Sequence, residues 1–234
     1  MFYQDTKPDK ILLYLSSQEF PKQKSSLPLS LRIFESLSLI EIHFVEPNYK
    51  AYKKLIYALA DYPDAILVTI DDDQFYDATM LTLLLDSYYK YPQAIHCHCA
   101  DAKLLNKLLH TYIELREDLP FLAGIPIGVG GILYPPHSLH PDIFLHEVFT
   151  SIAPIGDDLW FFAMSVKNHT PKVLVKNASY HPKLQVVAWE ETPNLWDTNI
   201  TQNSPQLEAI FQTYPEIKTL LLESITTPNI PPKT

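Results

Sequence analysis

Apolar and polar positions along the first half of the chain switch repeatedly between strand-like runs and helix-like spacing. "ILLYL" (residues 11–15) and "IEIHFV" (40–45) are apolar runs of strand length. Between residues 48 and 63, "NYKAYKKLIYALADYP" sets Tyr52, Leu55, Ile56 and Leu59 at i, i+3, i+4 and i+7, one face of a helix that Pro63 stops. "AILVTI" (65–70) is continuous and rich in β-branched residues, as in a strand buried on both faces of a parallel sheet. A helix over 78–92 follows, with Asp77 as its cap. "AIHCH" (94–98) predicts another strand and "AKLLNKLLHTYIEL" (102–115) another helix. Strands separated by helices of this length predict βαβ units and an α/β fold around a largely parallel sheet.

The period is lost after Pro120. "FLAGIPIGVGGILYPPHSLHPDIF" (121–144) has few charges, and all five glycines of the chain fall between residues 124 and 156. Glycine is used where backbone takes positive φ or approaches something that a Cβ would block. Asp157 and Asp158 then stand before the apolar run 159–164, so they predict the N-cap and first turn of a helix, whose N-terminus favours ionised carboxylates. Short strands at 172–176 and 184–189 and an acidic helix over 205–226 complete the pattern. One domain is expected over 1–226, with a mobile proline-rich tail at 227–234.

Composition narrows the choices. The 234 residues are 47% hydrophobic, enough for a substantial core. A net charge of −9 argues against a nucleic-acid backbone as partner. No 18-residue apolar window and no apolar leader occur, so a cytoplasmic protein is expected. Cys97 and Cys99, two residues apart on one strand, make a poor disulfide. The interleaved His96 and His98 suit zinc in type, but nothing nearby completes a ligand set, and a structural role is the expectation.

The acidic triplet Asp71, Asp72 and Asp73 closes the apolar run 65–70. Adjacent anions need solvent, a cation or basic side chains to offset their repulsion. In parallel α/β sheets, ligands bind beyond the carboxyl ends of strands, which is where this triplet falls. Oxygen ligands of this kind suit Mg²⁺ or Mn²⁺ bound with a phosphate-bearing substrate. The second pair, some 85 residues on, offers a general base for an attacking hydroxyl.

Three blocks, "KLIYALADYPDAILVTIDDDQFY", "GVGGILYPPHSLHPDIF" and "APIGDDLWFFAM", together resemble bacterial glycosyltransferases of the GT-A, Rossmann-like fold, close to the family-2 type that builds surface polysaccharide and lipopolysaccharide. The resemblance implies a nucleotide-sugar donor, Mn²⁺ or Mg²⁺, a glycan or lipid-linked acceptor, and inversion by direct displacement. It also implies a place at the inner face of the cytoplasmic membrane, with peripheral association. By the same likeness Asp73 is the leading metal ligand, Asp71 a second, and His181 completes the shell. Asp71 and Asp72 also lie near the ribose and diphosphate, Lys54 (or Lys53) approaches the phosphates, and Gly130 and Gly131 lie against the donor sugar or acceptor. Asp158 is the base and Asp157 orients the acceptor. The family's usual first strand has no counterpart before Lys10. An N-terminally shortened, non-catalytic relative that binds metal or nucleotide weakly or not at all is therefore the alternative. "VTIDDD" also suggests an aspartyl-phosphate phosphatase, but Gln74, Phe75 and Tyr76 stand where that chemistry needs a small residue and threonine.

Overall fold

The computed structural model describes residues 1–176 and 195–226. The chain starts with β1 (Leu12–Ser16), α1 (Leu29–Ser36) and β2 (Glu41–Val45), and continues with α2 (Lys53–Asp61), β3 (Leu67–Thr69), α3 (Met80–Lys90), β4 (Ile95–Cys97), β5 (Ala100–Asp101) and α4 (Lys103–Leu109). Then come β6 (Pro120–Phe121), β7 (Ile125–Pro126), β8 (Ile132–Tyr134), α5 (His146–Ile152), α6 (Asp157–Lys167), β9 (Lys172–Leu174), α7 (Leu195–Thr213) and α8 (Pro215–Thr226). The architecture is α/β.

The central sheet has five strands in the order β3-β8-β4-β9-β6, and it is mixed rather than mostly parallel. Only β4 and β9 pair in parallel, while β3–β8, β8–β4 and β9–β6 are antiparallel. Two of the antiparallel pairs come from β8, which arises inside the glycine and proline segment that sequence periodicity left without an element, and the third from the two-residue edge strand β6. Inserted between β3 and β4, β8 lets those two strands run in the same direction without touching. The expected parallel pairing does occur between β1 and β2, in a separate two-stranded sheet. β5 and β7 form a third, antiparallel pair.

Several helix bounds differ from the pattern for local reasons. The segment 48–63 begins as a 3₁₀ turn, Lys50–Tyr52, before α2. The helix expected over 102–115 ends at Leu109 because His110 takes the left-handed conformation (φ 49°) and the Asn106 side chain accepts from the Ile113 N–H at 2.8 Å. Asp77 accepts from the Thr79 N–H at 2.9 Å within the preceding turn and is not the helix cap: the N-cap position of α3 is Thr79, and the helix expected from residue 78 begins at Met80. The acidic helix expected over 205–226 is two: α7 begins earlier, and Pro215 opens α8. The strand expected at 184–189, His181 and the tail 227–234 lie outside the described residues.

The main core centres on α6. Its residues Leu159 to Val166 are buried on every side, as an uninterrupted apolar run requires. Leu55 and Ile56 of α2, Ile95 of β4, Ile132 of β8, Leu207 and Ile210 of α7 and Leu221 of α8 pack in the same cluster. Trp160 is fully buried and its indole N–H donates to the Ile143 carbonyl at 3.2 Å, so its one polar atom is satisfied. A smaller cluster joins α3 to β8 and the exit of β9, built from Met80, Leu81, Leu84, Leu133 and Val175.

Candidate functional site

Strand register brings the site together. Thr69, the last residue of β3, pairs with Ile132, the first of β8. The chain leaving β3 becomes the acidic turn, and the chain entering β8 is the glycine loop, so antiparallel pairing sets the two side by side. Tyr76 ties them: its hydroxyl accepts from the Asp71 N–H at 2.9 Å and donates to the Val129 carbonyl at 3.2 Å. Burial pushes its phenol well above the usual tyrosine range.

The start of α6 closes the other side. Gly156 holds the N-cap position, so both Asp157 and Asp158 fall in the first helical turn, where free backbone N–H groups favour anions. Asp158 Oδ2 accepts from the Gly128 N–H at 3.1 Å, while its buried Oδ1 makes no hydrogen bond among the described residues. Lys54, in the first turn of α2, reaches into the space between the loops. Its Nζ stands 3.0 Å from Asp157 Oδ2 and 3.3 Å from Asp71 Oδ1. The two acidic blocks, far apart in sequence, thus share one ammonium group.

The charges are unbalanced, three carboxylates to one cation. Burial first, and then the neighbouring Asp157 charge, push the Asp158 carboxyl up to about 7, against the pull of Lys54 and the Gly128 N–H. Burial opposes the Lys54 charge, but Asp157, Asp158 and Asp71 outweigh it and hold the ammonium well above its ordinary value. Tyr52, fully buried and stacked on Phe149 at 4.3 Å, donates to the Ala153 carbonyl beneath the pair. Burial raises its phenol strongly, and the charges of Asp157 and Asp158 add to the effect.

The glycines serve different ends. A Cβ on Gly128 would stand 2.8 Å from Lys54 Nζ and 3.2 Å from Asp158 Oδ1, so its lack of a side chain keeps the polar space open. Gly130 lies against the Cys99 backbone, where a Cβ would come within 2.9 Å of the nitrogen. Gly131 has φ +88°, a left-handed value that other residues rarely adopt. Gly130 and Gly131 therefore have a structural reason to be glycine, and Gly128 is the one that borders the charges.

Not every candidate joins the cluster. Asp72 and Asp73 are exposed, and Asp73 bonds only the Gln74 side chain, at 3.2 Å, among the described residues. Lys53 turns away to Glu19 at 3.1 Å. No three His, Cys, Asp or Glu side chains stand close enough to hold a metal ion among the described residues. His96 is buried with both ring nitrogens engaged, one by Ser87 Oγ at 2.8 Å and the other by the Tyr91 carbonyl at 3.1 Å. Burial pushes it down to about 4. His98 donates to the Met80 carbonyl at 3.1 Å, so the histidines of β4 and its exit serve the core.

Sequence spacing missed Tyr76 and Gly128 as site residues. Nothing in a pattern marks a tyrosine that fastens a loop 53 residues away, whereas Gly128 did stand within the glycine cluster. Comparison with family models, with curated proteins and with solved structures finds no match for this chain.

Proposed function

We propose that this chain is an inverting, metal-dependent glycosyltransferase of the GT-A type, moving a sugar from a nucleotide-sugar donor to a hydroxyl of a glycan or lipid-linked acceptor. One observation carries the reading: Asp71, Lys54, Gly128, Asp157 and Asp158 meet at the carboxyl end of β3. That is where a donor's diphosphate and an attacking hydroxyl would have to be held together.

The reaction assigns each group a task. Asp158, ionised, takes the proton of the acceptor hydroxyl through its unbonded Oδ1 while the Gly128 N–H holds Oδ2 in place. The acceptor oxygen forms a bond to the anomeric carbon as the bond from that carbon to the phosphate oxygen breaks. The electron pair leaves with the nucleoside diphosphate, and Lys54 offsets the charge that develops there. Asp157 orients the acceptor and, with Asp71, keeps Lys54 charged.

Asp72 and Asp73 are hard oxygen ligands that have, among the described residues, no cation beside them and no third protein ligand with them. They would supply two ligands to Mn²⁺ or Mg²⁺, and the donor's phosphate oxygens and water would have to supply the rest. When bound, the ion would neutralise the diphosphate and draw negative charge from the leaving group. The exposure of Asp73, away from the buried cluster, favours instead the non-catalytic relative as the second reading.

Calorimetric titration with nucleoside diphosphates, with and without Mn²⁺, separates the two. Binding of one nucleotide that needs Mn²⁺ and weakens more than about tenfold in Asp71→Asn or Lys54→Met is expected. Silence across all nucleotides would leave only the non-catalytic relative.

A further inference from the structure

We propose that Gln4 is a positioning residue for the acidic turn, the centre of an amino-terminal strap that holds residues 71–77 where Asp71 meets Lys54. Residues 4–6 belong to no helix or strand, yet hydrogen bonds fasten them to residues 77–82. Gln4 is 1% exposed and uses both ends of its amide. Its Nε2 donates to the Asp77 carbonyl at 2.6 Å, and its Oε1 accepts from the Leu81 N–H at 3.0 Å. Beside it the Asp5 N–H donates to the Ala78 carbonyl at 2.7 Å, and the Thr6 and Thr82 hydroxyls share a hydrogen bond of 2.8 Å. The start of the strap is held too, with Met1 against the cluster of Met80, Leu81 and Leu84 and the Phe2 ring 5.2 Å from Phe34 of α1.

The partners call for glutamine. Asp77 offers a carbonyl, which only accepts, and Leu81 an N–H in the first turn of α3, which only donates, so the side chain between them has to carry one donor and one acceptor. A glutamate anion lacks the donor, an apolar side chain lacks both, and asparagine is one methylene short. A buried amide satisfied at both ends fixes the backbone it touches, because leaving either partner unpaired away from water is costly. From Asp77 the hold passes to the neighbouring Tyr76, whose hydroxyl accepts from the Asp71 N–H and donates to the Val129 carbonyl. Gln4 thus secures the exit of the turn while Tyr76 secures its entry, and Asp72 and Asp73 stand exposed between them. The consequence for ligand binding rests on the proposed glycosyltransferase reading, whereas the hold on the turn does not.

Hydrogen exchange of the full chain, followed by mass spectrometry, tests the strap, together with calorimetry of nucleoside diphosphates in Mn²⁺. Gln4→Met, similar in length, is expected to speed exchange over residues 71–78 by about tenfold, the net effect of one hydrogen bond, with β4 unchanged. Any nucleotide that the natural chain binds should bind about tenfold more weakly. Gln4→Glu adds a readout that packing alone does not move. Ionised, the new carboxylate accepts from the Leu81 N–H but cannot donate to the Asp77 carbonyl; protonated, it does both. Its excess exchange over 71–78, taken against the natural chain at each pH, should therefore shrink as pH falls from about 8 to about 5, while that of Gln4→Met stays constant. Unchanged exchange over 71–78 in both variants, a loosening shared equally by β4, or a Gln4→Glu excess that does not vary with pH would each overturn the proposal. A natural chain silent toward every nucleotide would sink the transferase reading alone, and the exchange comparison would still decide the strap.

Discussion

At Asp158 burial and the Asp157 charge favour the protonated carboxyl, while the proposed chemistry needs the anion. The folded protein holds this proton more tightly than an unfolded chain, whose carboxyl titrates near 3.8. Its contribution to stability is therefore complete below about 3.8 and is lost as pH rises through about 7. Asp158→Asn cannot ionise, so at pH above about 7 it should have a higher urea midpoint than the natural chain, a difference that fades toward pH 4. Transfer should fall by about 10²–10⁴-fold in the same variant, and in the natural chain it should decline as pH drops below about 7. Lys172 is the reverse case. Fully buried in β9, it donates to Ser165 Oγ at 3.0 Å and lies over the Phe162 ring, and burial pushes its amine down to about 7. Between about 7 and the ordinary 10.5 the unfolded chain binds the extra proton, so stability rises with pH across that window. Lys172→Met should stabilise by about 1–4 kcal/mol near neutrality, read by urea denaturation, with the gain shrinking toward pH 10.

Elements decide which residues meet. α6 was legible from "DDLWFFAM", because an acidic pair suits the first turn of a helix and the apolar residues after it suit a buried continuation. β8 was not, since three buried residues flanked by glycine and proline carry no period. Its antiparallel entry beside β3 is what delivers Gly128 to Lys54 and Asp158. Gly128→Ala should therefore disturb charge more than packing. The nearest atom to the new methyl is the flexible end of Lys54, which can move, so the thermal midpoint should fall by no more than about 1 kcal/mol equivalent. Displacing that ammonium breaks its contacts with Asp71 and Asp157, and nucleotide affinity should drop several-fold in calorimetry.

For the whole molecule, the five-stranded sheet and the α6 core form the buried centre, while β1 and β2 pair only with each other and β2 has no fully buried residue. Hydrogen exchange followed by mass spectrometry should find the slowest amides in β4, where all three residues are buried, and faster opening in β2. Comparable protection in the two strands would mean that the small sheet is as firmly held as the centre. The sequence alone settled the α/β class, most helix and strand positions and the two acidic blocks, because these follow from local spacing and residue type. Only the tertiary structure decided the mixed sheet order, the left-handed stop at His110 and the convergence of Asp71, Lys54 and Asp157. Strand pairing and charge sharing join residues distant along the chain, and a local pattern holds no information about which distant segment will lie opposite.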